Sequence, residues 1–404
     1  MKKFEFVEGG VTAAQGFRAC GVEAGVKCQG RKDLALIVAD QPVPVAAVYT
    51  TNKVAAAPVR VDRERTRSGS AQAVVVNSGC ANACTGERGV KDALETARLA
   101  GAALGIDERL VLVCSTGVIG VHLPMERIAA GLEKAAGCLS GTGGYDAARA
   151  IMTTDTVDKQ VAVELEIDGK TVTVGGMCKG SGMIEPNMAT MLGFITTDAV
   201  VHPKALDQAL RDAVEVSFNR VVVDGDRSTN DTVIMMAGGA AGNGTLTPYH
   251  SQWQYFVDAL KTVCLELGKK MVLDGEGATK FVTVRVKGAK TDEDAQMAAR
   301  AVSKSALVKT SWFGLDPNWG RVIAAVGYSG AEVDESKVQI YYGDICAYDQ
   351  GRVADKERLM AMRDVMRKRA FEVTVDMHLG DGEDTIYTCD LSYDYVKINA
   401  EYTT

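Results

Sequence analysis

Histidine is scarce in this chain, and the scarcity limits the chemistry that the protein can perform. Only four histidines occur among 404 residues, and none belongs to a His-Glu-x-x-His motif or to a cluster of cysteine and histidine. A zinc site is therefore not expected. The chain also lacks a Gly-x-Ser-x-Gly elbow. An enzyme of this composition needs another general base, and a chain-terminal amine, with a pKa of about 8, is suited to neutral pH.

Other absences narrow the class of protein further. No apolar run approaches the length of a membrane span, and no secretory signal is recognised at the amino end. The net charge of −7 argues against nucleic acid or an anionic membrane as the main partner. The ten cysteines are scattered and read as reduced core residues, so a cytoplasmic location is expected. The length suffices for two or three domains with a large core.

Helical and strand periods are mixed along the chain, which predicts an α/β fold of the α+β type. Residues 161–174 alternate between apolar and polar around Asp168-Gly169, a strong hairpin signal. Helical periods occupy 90–104, 125–136, 203–216, 252–267, 292–306 and 355–369. Strand-like runs occupy 33–39, 45–50, 72–76, 109–114, 161–167, 171–175, 191–196, 220–224, 232–236, 281–286, 321–326, 338–342 and 371–377. Mainly antiparallel or mixed sheets with helices layered outside are expected.

Thr190 is the main candidate nucleophile because it opens a hydrophobic strand directly after a glycine-punctuated loop. The loop contains Gly180, Gly182 and Pro186 and stops at Ala189. If the hydroxyl of Thr190 attacked the preceding carbonyl, the chain would break at Ala189–Thr190, and the freed α-amine would serve as base for the same hydroxyl. The alternative is that this threonine only favours the strand conformation. The loop by itself leaves both interpretations open.

Two further segments carry groups that suit such a reaction. The strand 109–114 leads into Thr116-Gly117, where a hydroxyl and a backbone N–H could stabilise an oxyanion; an ordinary turn is the alternative. The loop 273–280 lacks the spacing of a phosphate loop, and its Glu276 is better suited to an amine. For this loop the alternative is an exposed acidic turn.

Three polar or aromatic segments allow a structural as well as a functional interpretation. Residues 217–232 are rich in Asp, Asn and Thr, which indicates either oxygen ligands for a metal ion or a hydrogen-bonded loop. Residues 312–321 form an aromatic loop before a predicted strand and either cover a small pocket or pack as a turn. Apolar and polar residues alternate in the tail 393–404 as they do in a strand, which suggests that the carboxyl end is ordered and has a function.

The motifs together resemble the ornithine acetyltransferase family, also called the glutamate N-acetyltransferase family, of the arginine pathway. The resemblance extends over essentially the whole chain. Its motifs are Gly9–Ala13, Thr50–Lys53, Ala55–Val59, Asn77–Gly86, Ser115–Gly120, Met152–Asp155, Lys179–Thr190, Asp224–Thr232, Asp274–Lys280, Asp316–Arg321 and Tyr395–Tyr402.

The resemblance implies an N-terminal-nucleophile-like fold of layered sheets built from two autocleaved fragments. Fragment 1–189 would carry the oxyanion hole, formed by Thr116 and Gly117, and fragment 190–404 the nucleophile Thr190. The substrate-binding positions implied are Thr153, Lys179, Thr190, Glu276, Asn399 and Thr404. An α2β2 assembly is implied, without metal or cofactor.

The activity implied is transfer of acetyl from N2-acetylornithine to glutamate through an acetyl-Thr190 ester, in arginine biosynthesis. Acetyl-CoA is a further donor in the bifunctional members of the family. One alternative is a self-cleaved aminopeptidase or amidohydrolase, in which water resolves the acyl-enzyme. A second alternative is an uncut, non-catalytic binding protein.

Overall fold

The computed structural model describes residues 4–27, 30–185 and 191–401. Within them the chain forms sixteen strands and eleven α-helices. The strands are β1 Glu5–Val7, β2 Phe17–Val22, β3 Leu34–Tyr49, β4 Ser70–Cys80, β5 Val111–Val118, β6 Lys159–Ile167, β7 Lys170–Lys179, β8 Leu192–Thr197, β9 Val221–Val222, β10 Thr232–Ala237, β11 Phe281–Ala289, β12 Gln339–Tyr342, β13 Ile345–Asp349, β14 Arg352–Val353, β15 Ala370–Asp376 and β16 Gly382–Cys389.

The helices alternate irregularly with these strands, as the mixed periods predicted. They are α1 Ala57–Arg65, α2 Gly86–Leu104, α3 Met125–Ala136, α4 Gly144–Ala150, α5 Pro203–Glu215, α6 Trp253–Leu273, α7 Asp292–Lys304, α8 Ala306–Phe313, α9 Trp319–Gly327, α10 Lys356–Arg367 and α11 Tyr393–Glu401. No helix of the described residues is long and apolar enough to span a membrane.

Among the described residues, the larger of two structural units holds those of 4–219 and 226–271 and is built on a nine-stranded mixed sheet. Its strand order is β1-β6-β7-β8-β10-β3-β4-β5, and β2 pairs with β3. The pairs β4–β5 and β8–β10 are parallel, whereas β6 and β7 form the hairpin predicted around Asp168-Gly169. Both turn residues have a positive φ, which is the conformation of a tight hairpin turn. One apolar core lies between β2–β5 and helices α2 and α3.

The smaller unit holds, of the described residues, 220–225 and 272–401 and is built on a seven-stranded sheet. Its strand order is β14-β13-β12-β15-β11-β16-β9, with β11–β15 and β9–β16 parallel. Apolar side chains of the central strands pack with those of α7, α9 and α10 into a single core. The larger unit has residues on both sides of Ala189–Thr190, so the units do not coincide with the fragments that the family resemblance implies.

Two segments predicted as strands are helices. The run 321–326 lies in α9, where the Asn318 side chain accepts a hydrogen bond from the Arg321 N–H and caps the helix. Val322, Ala325 and Val326 then bury one helical face, and their apolar character had suggested a strand. The described part of the tail forms α11, and the Ser392 hydroxyl accepts hydrogen bonds from backbone N–H groups of its first turn. No side chain of α11 is buried, so its alternation does not reflect a sheet face.

Candidate active site

The end of β5 presents the predicted pair Thr116 and Gly117 beside the end of β4. The two strands are parallel and pair Ser78 with Thr116 and Gly79 with Gly117. Gly117 has a φ of 127°, and a Cβ there would lie 2.4 Å from the carbonyl carbon of Gly79. Only glycine fits a site with this φ and so close a backbone neighbour. No side chain therefore covers the backbone of Gly117.

A buried network of amide and hydroxyl groups fixes this strand end. The Ser115 hydroxyl donates to Asn77 Oδ1 at 2.6 Å, and Asn77 Nδ2 donates to the Cys80 carbonyl at 2.8 Å. The Asn230 amide donates to the carbonyls of Ser115 and Ala81 at 2.8 and 2.7 Å. These contacts fit the hydrogen-bonded interpretation of the Asp- and Asn-rich loop, in its part from 226 to 232. Sequence reasoning did not identify Asn77 and Asn230 as supports of the site.

The fold brings Lys179 to Thr116, although their strands, β7 and β5, do not pair with each other. It is the last residue of β7 and is buried, and its Nζ donates to Thr116 Oγ1 at 3.4 Å. A cation next to the hydroxyl favours negative charge at this place. Two of the residues implied by the family resemblance, 63 positions apart in the chain, are therefore neighbours in the structure.

The Asp155 carboxylate forms hydrogen bonds with the backbone of both Thr153 and Gly180, the residue after β7. Its Oδ2 accepts from the Thr153 N–H at 2.9 Å, and its Oδ1 accepts from the Gly180 N–H at 2.7 Å. The Lys159 ammonium, also buried, donates to the same Oδ1 at 2.7 Å. Burial alone would raise the pKa of Asp155, but the charges of Lys159 and Lys179 and these hydrogen bonds prevail and hold it well below its usual range. Asp155 lies in a family motif but was not predicted as a site residue.

A second buried carboxyl, that of Asp231, directly precedes β10, whose first residue pairs with the first residue of β8. The Met191 N–H donates to this carboxyl, and the Met191 carbonyl accepts from the Thr232 N–H at 3.0 Å. Asp231 Oδ2 has no hydrogen-bond partner in the described part of the chain, and burial raises the pKa of this group well above its usual value. The backbone immediately after residue 190 is thus anchored. Ala189, Thr190 and Thr404 themselves lie outside the described residues.

In the smaller unit the structure brings Glu276 and Asn399 together. Asn399 Nδ2 donates to Glu276 Oε2 at 2.8 Å and also to the Tyr395 carbonyl at 3.0 Å, one helical turn earlier. The loop that holds Glu276 is fixed by the Ser392 hydroxyl, which donates to the Gly277 carbonyl at 2.6 Å. A carboxylate held in this way can accept hydrogen bonds from an ammonium group.

The protein is of the α/β class, of the α+β type, with mixed sheets, helices packed against them, and charged and hydroxyl groups at the strand ends. Comparison with known proteins identifies the family. The model of the ArgJ family matches residues 18–404. The arginine biosynthesis bifunctional protein ArgJ of Symbiobacterium thermophilum is 55% identical, over 99% of this chain and 100% of that protein. That of Geobacter sulfurreducens is also 55% identical, over 96% and 99%.

A solved structure agrees with these sequence matches. The crystal structure of the arginine biosynthesis bifunctional protein ArgJ from Bacillus halodurans is 44% identical and has a TM-score of 0.51. The match covers 53% of this chain and 100% of the crystallised chain. The protein described here belongs to the ArgJ family, which confirms the resemblance seen in the motifs.

Proposed function

We propose that this protein is a glutamate N-acetyltransferase that moves acetyl from N2-acetylornithine to glutamate in arginine biosynthesis. The observation that carries the proposal is the 55% identity, over 99% of the chain, to a relative named as an arginine biosynthesis bifunctional protein. The contact of Lys179 with Thr116 supports it, since it adds a carboxylate-binding cation to a candidate oxyanion hole. Because such relatives are named bifunctional, we include acetyl-CoA as a second acetyl donor.

The nucleophile in this proposal is Thr190, released by self-cleavage at Ala189–Thr190. The chain would then consist of fragments 1–189 and 190–404. The match of the whole crystallised Bacillus halodurans chain to 53% of this chain supports the proposal, because residues 190–404 would make up that share. The anchoring of Met191 by Asp231 and Thr232 holds the start of β8 for a nucleophile at its amino end.

The transfer takes place in two steps. The Thr190 hydroxyl gives its proton to the α-amine of Thr190 and attacks the acetyl carbonyl of N2-acetylornithine. The Thr116 hydroxyl and the Gly117 N–H donate to the resulting oxyanion, whose collapse breaks the C–N bond and releases ornithine after protonation of its nitrogen. The acetyl group remains on Thr190 as an ester. The amine of glutamate attacks this ester in the second step and restores the free threonine.

Substrate binding is assigned to Thr153, Lys179, Thr190, Glu276, Asn399 and Thr404. Lys179 binds the carboxylate that both substrates carry. Glu276, which accepts a hydrogen bond from Asn399, binds an amine. An α2β2 assembly of the two fragments and a cytoplasmic location complete the proposal.

Mass spectrometry of the denatured protein tests the proposal. Wild-type protein should give fragments 1–189 and 190–404, and Thr190→Ala should stay whole. Incubation with N2-acetylornithine alone should add one acetyl mass to fragment 190–404, and glutamate should then remove it as N-acetylglutamate. Release of acetate instead would indicate the hydrolase, and an intact, unreactive chain would indicate the non-catalytic binding protein.

A further inference from the structure

Lys27 lies beside the ends of β4 and β5 although no motif of the site includes it. Its backbone N–H donates to Asp33 Oδ2 at 2.8 Å, and the Ala24 N–H donates to Asp33 Oδ1 at 2.7 Å. Asp33 is fully buried, so it anchors the loop 24–27. A Cβ on Gly79 would lie 2.7 Å from Lys27 Cγ. The glycine therefore lets the lysine stem pass over the strand end that pairs with Gly117.

The ammonium group of Lys27 ends next to Thr153. It donates a hydrogen bond to the carbonyl of Met152, the residue before Thr153. Burial, and next the charge of Lys179, lower the pKa of Lys27 to about 8. The charges of Asp33 and Asp155 act in the opposite direction, and that of Arg31 also lowers the pKa. Lys27 reaches the carbonyl next to Thr153 and Lys179 reaches the Thr116 hydroxyl, so both ammonium groups lie among residues of the candidate site. An anion bound by both would relieve their repulsion.

The carboxylates of this environment are already engaged by groups of the protein. Asp155 accepts from two backbone N–H groups and from Lys159, and Asp33 accepts from two backbone N–H groups. The ammonium groups of Lys27 and Lys179 add positive charge beside these carboxylates. This positive charge favours binding of an anion.

The position of this charge fits an α-carboxylate. In N2-acetylornithine the acetylated nitrogen and the carboxylate are bonded to the same carbon atom. A cation for this carboxylate must therefore lie close to the group that receives the acetyl oxygen, and Lys179 lies 3.4 Å from the Thr116 hydroxyl. A carboxylate has two oxygens, and one ammonium leaves lone pairs for a second donor.

We propose that Lys27 is a substrate-binding residue that acts with Lys179 to hold the α-carboxylate common to N2-acetylornithine, ornithine and glutamate. This inference rests on the proposed function for the identity of the substrates. Lys27 contributes affinity and does not take part in the covalent steps, so its removal changes KM rather than kcat.

The test compares Lys27→Met, which keeps the stem and removes the charge, with Lys91→Met on the exposed face of α2. Both proteins are first shown to be cleaved like the wild type. With N2-acetylornithine, Lys27→Met should lower kcat/KM about 10- to 30-fold, mainly through KM, because a charge-assisted hydrogen bond is lost. With N-acetyl-1,4-diaminobutane, the analogue that lacks the carboxylate, it should have no effect. Equal losses with both donors would overturn the inference.

Ornithine binding, measured by calorimetry, provides a second readout that needs no turnover. Lys27→Met should weaken binding by a similar factor, and Lys27→Arg should restore most of it because the cation is kept. If the wild type binds ornithine but transfers no acetyl, the proposed function has failed while this inference is still judged by ornithine affinity. Unchanged affinity in Lys27→Met, or no ornithine binding by the wild type, would overturn it.

The pH dependence adds a third readout. Since the pKa of Lys27 is lowered to about 8, its positive charge is present below that pH and is lost above it. The KM of the wild type for N2-acetylornithine should therefore rise above pH of about 8, and this rise should be absent in Lys27→Met. A rise of the same size in both proteins would count against Lys27.

Discussion

The ammonium nitrogen of Lys179 lies 3.4 Å from the hydroxyl oxygen of Thr116. Lys179 ends β7 and Thr116 lies near the end of β5, on different strands of the nine-stranded sheet. The hydroxyl can accept from the lysine while its own proton points to another acceptor. This direction of the hydrogen bond suits an oxyanion hole, because the hydroxyl can still donate its proton to a developing negative charge.

Replacement of Thr116 by alanine should therefore reduce catalysis without disturbing the backbone. Since the lost hydrogen bond forms mainly in the transition state, kcat should fall by about 10²–10³-fold with little change in KM. The measurement is steady-state acetyl transfer by protein already shown to be cut. Thr171→Ala, at an exposed position of β7, is the matched control. Fully cut Thr116→Ala protein with wild-type turnover would mean that this pair is only a structural turn.

The sequence predicted local features of the fold better than the contacts that join distant segments. The helix at 125–136 and the Asp168-Gly169 hairpin follow from apolar periodicity and turn chemistry, which are encoded within a few residues. The helix α11 was mistaken for a strand because its exposed face lacks the apolar stripe that marks a helix.

The candidate site shows the same division. Thr116 and Gly117 could be singled out from a strand that ends in Thr-Gly. Asp155 could not, because its role depends on Gly180 and Lys159 reaching it in the folded chain. Lys27 was missed for a similar reason, since its approach to Met152 joins positions 125 residues apart. Such long-range contacts leave no periodic pattern in the sequence.

A methyl group at Gly117 should destabilise the protein more than one at a glycine with open space around it. At Gly117 the new Cβ would meet the backbone of Gly79 at 2.4 Å, and the φ of 127° is itself unfavourable for other residues. Gly105 also has a positive φ, of 69°, but nothing lies within 4 Å of its Cβ position. Gly105→Ala should cost about 1 kcal/mol and Gly117→Ala clearly more. Equal urea midpoints for the two variants would contradict the close packing of β4 and β5.

Loss of the Asp155 charge should destabilise the protein strongly, because it leaves the buried Lys159 ammonium without its carboxylate. Asp155→Asn should lower the free energy of unfolding by about 3–5 kcal/mol. Asp207→Asn, which removes an exposed ion pair with Arg211, should lower it by less than about 1 kcal/mol. Urea unfolding of the uncut Thr190→Ala protein provides the comparison. Similar midpoints for both aspartate variants would show that Lys159 is satisfied by other groups.

The same carboxylate should contribute to acid stability. Its pKa is lower in the folded chain than the unfolded value of about 4, so its stabilising effect is fully present above that pH. The effect is lost as the pH falls from there toward the folded-state pKa. The stability difference between wild type and Asp155→Asn should therefore be constant near neutral pH and shrink below pH of about 4. A difference that does not change between neutral and acid pH would contradict the lowered pKa.

Glu276 should distinguish the two substrates by charge. Its carboxylate is held by Asn399 at 2.8 Å, and the proposed partner is the side-chain ammonium of the ornithine moiety. Glu276→Gln keeps the shape and removes the charge, so the KM for N2-acetylornithine should rise about 3- to 10-fold, the range for a partly solvated ion pair. The KM for glutamate should not rise, because its side chain is an anion and gains from the loss of a like charge. Glu401→Gln, exposed on α11, is the control for removal of a nearby charge. Equal increases for the two substrates would show that Glu276 shapes the loop without recognising the amine.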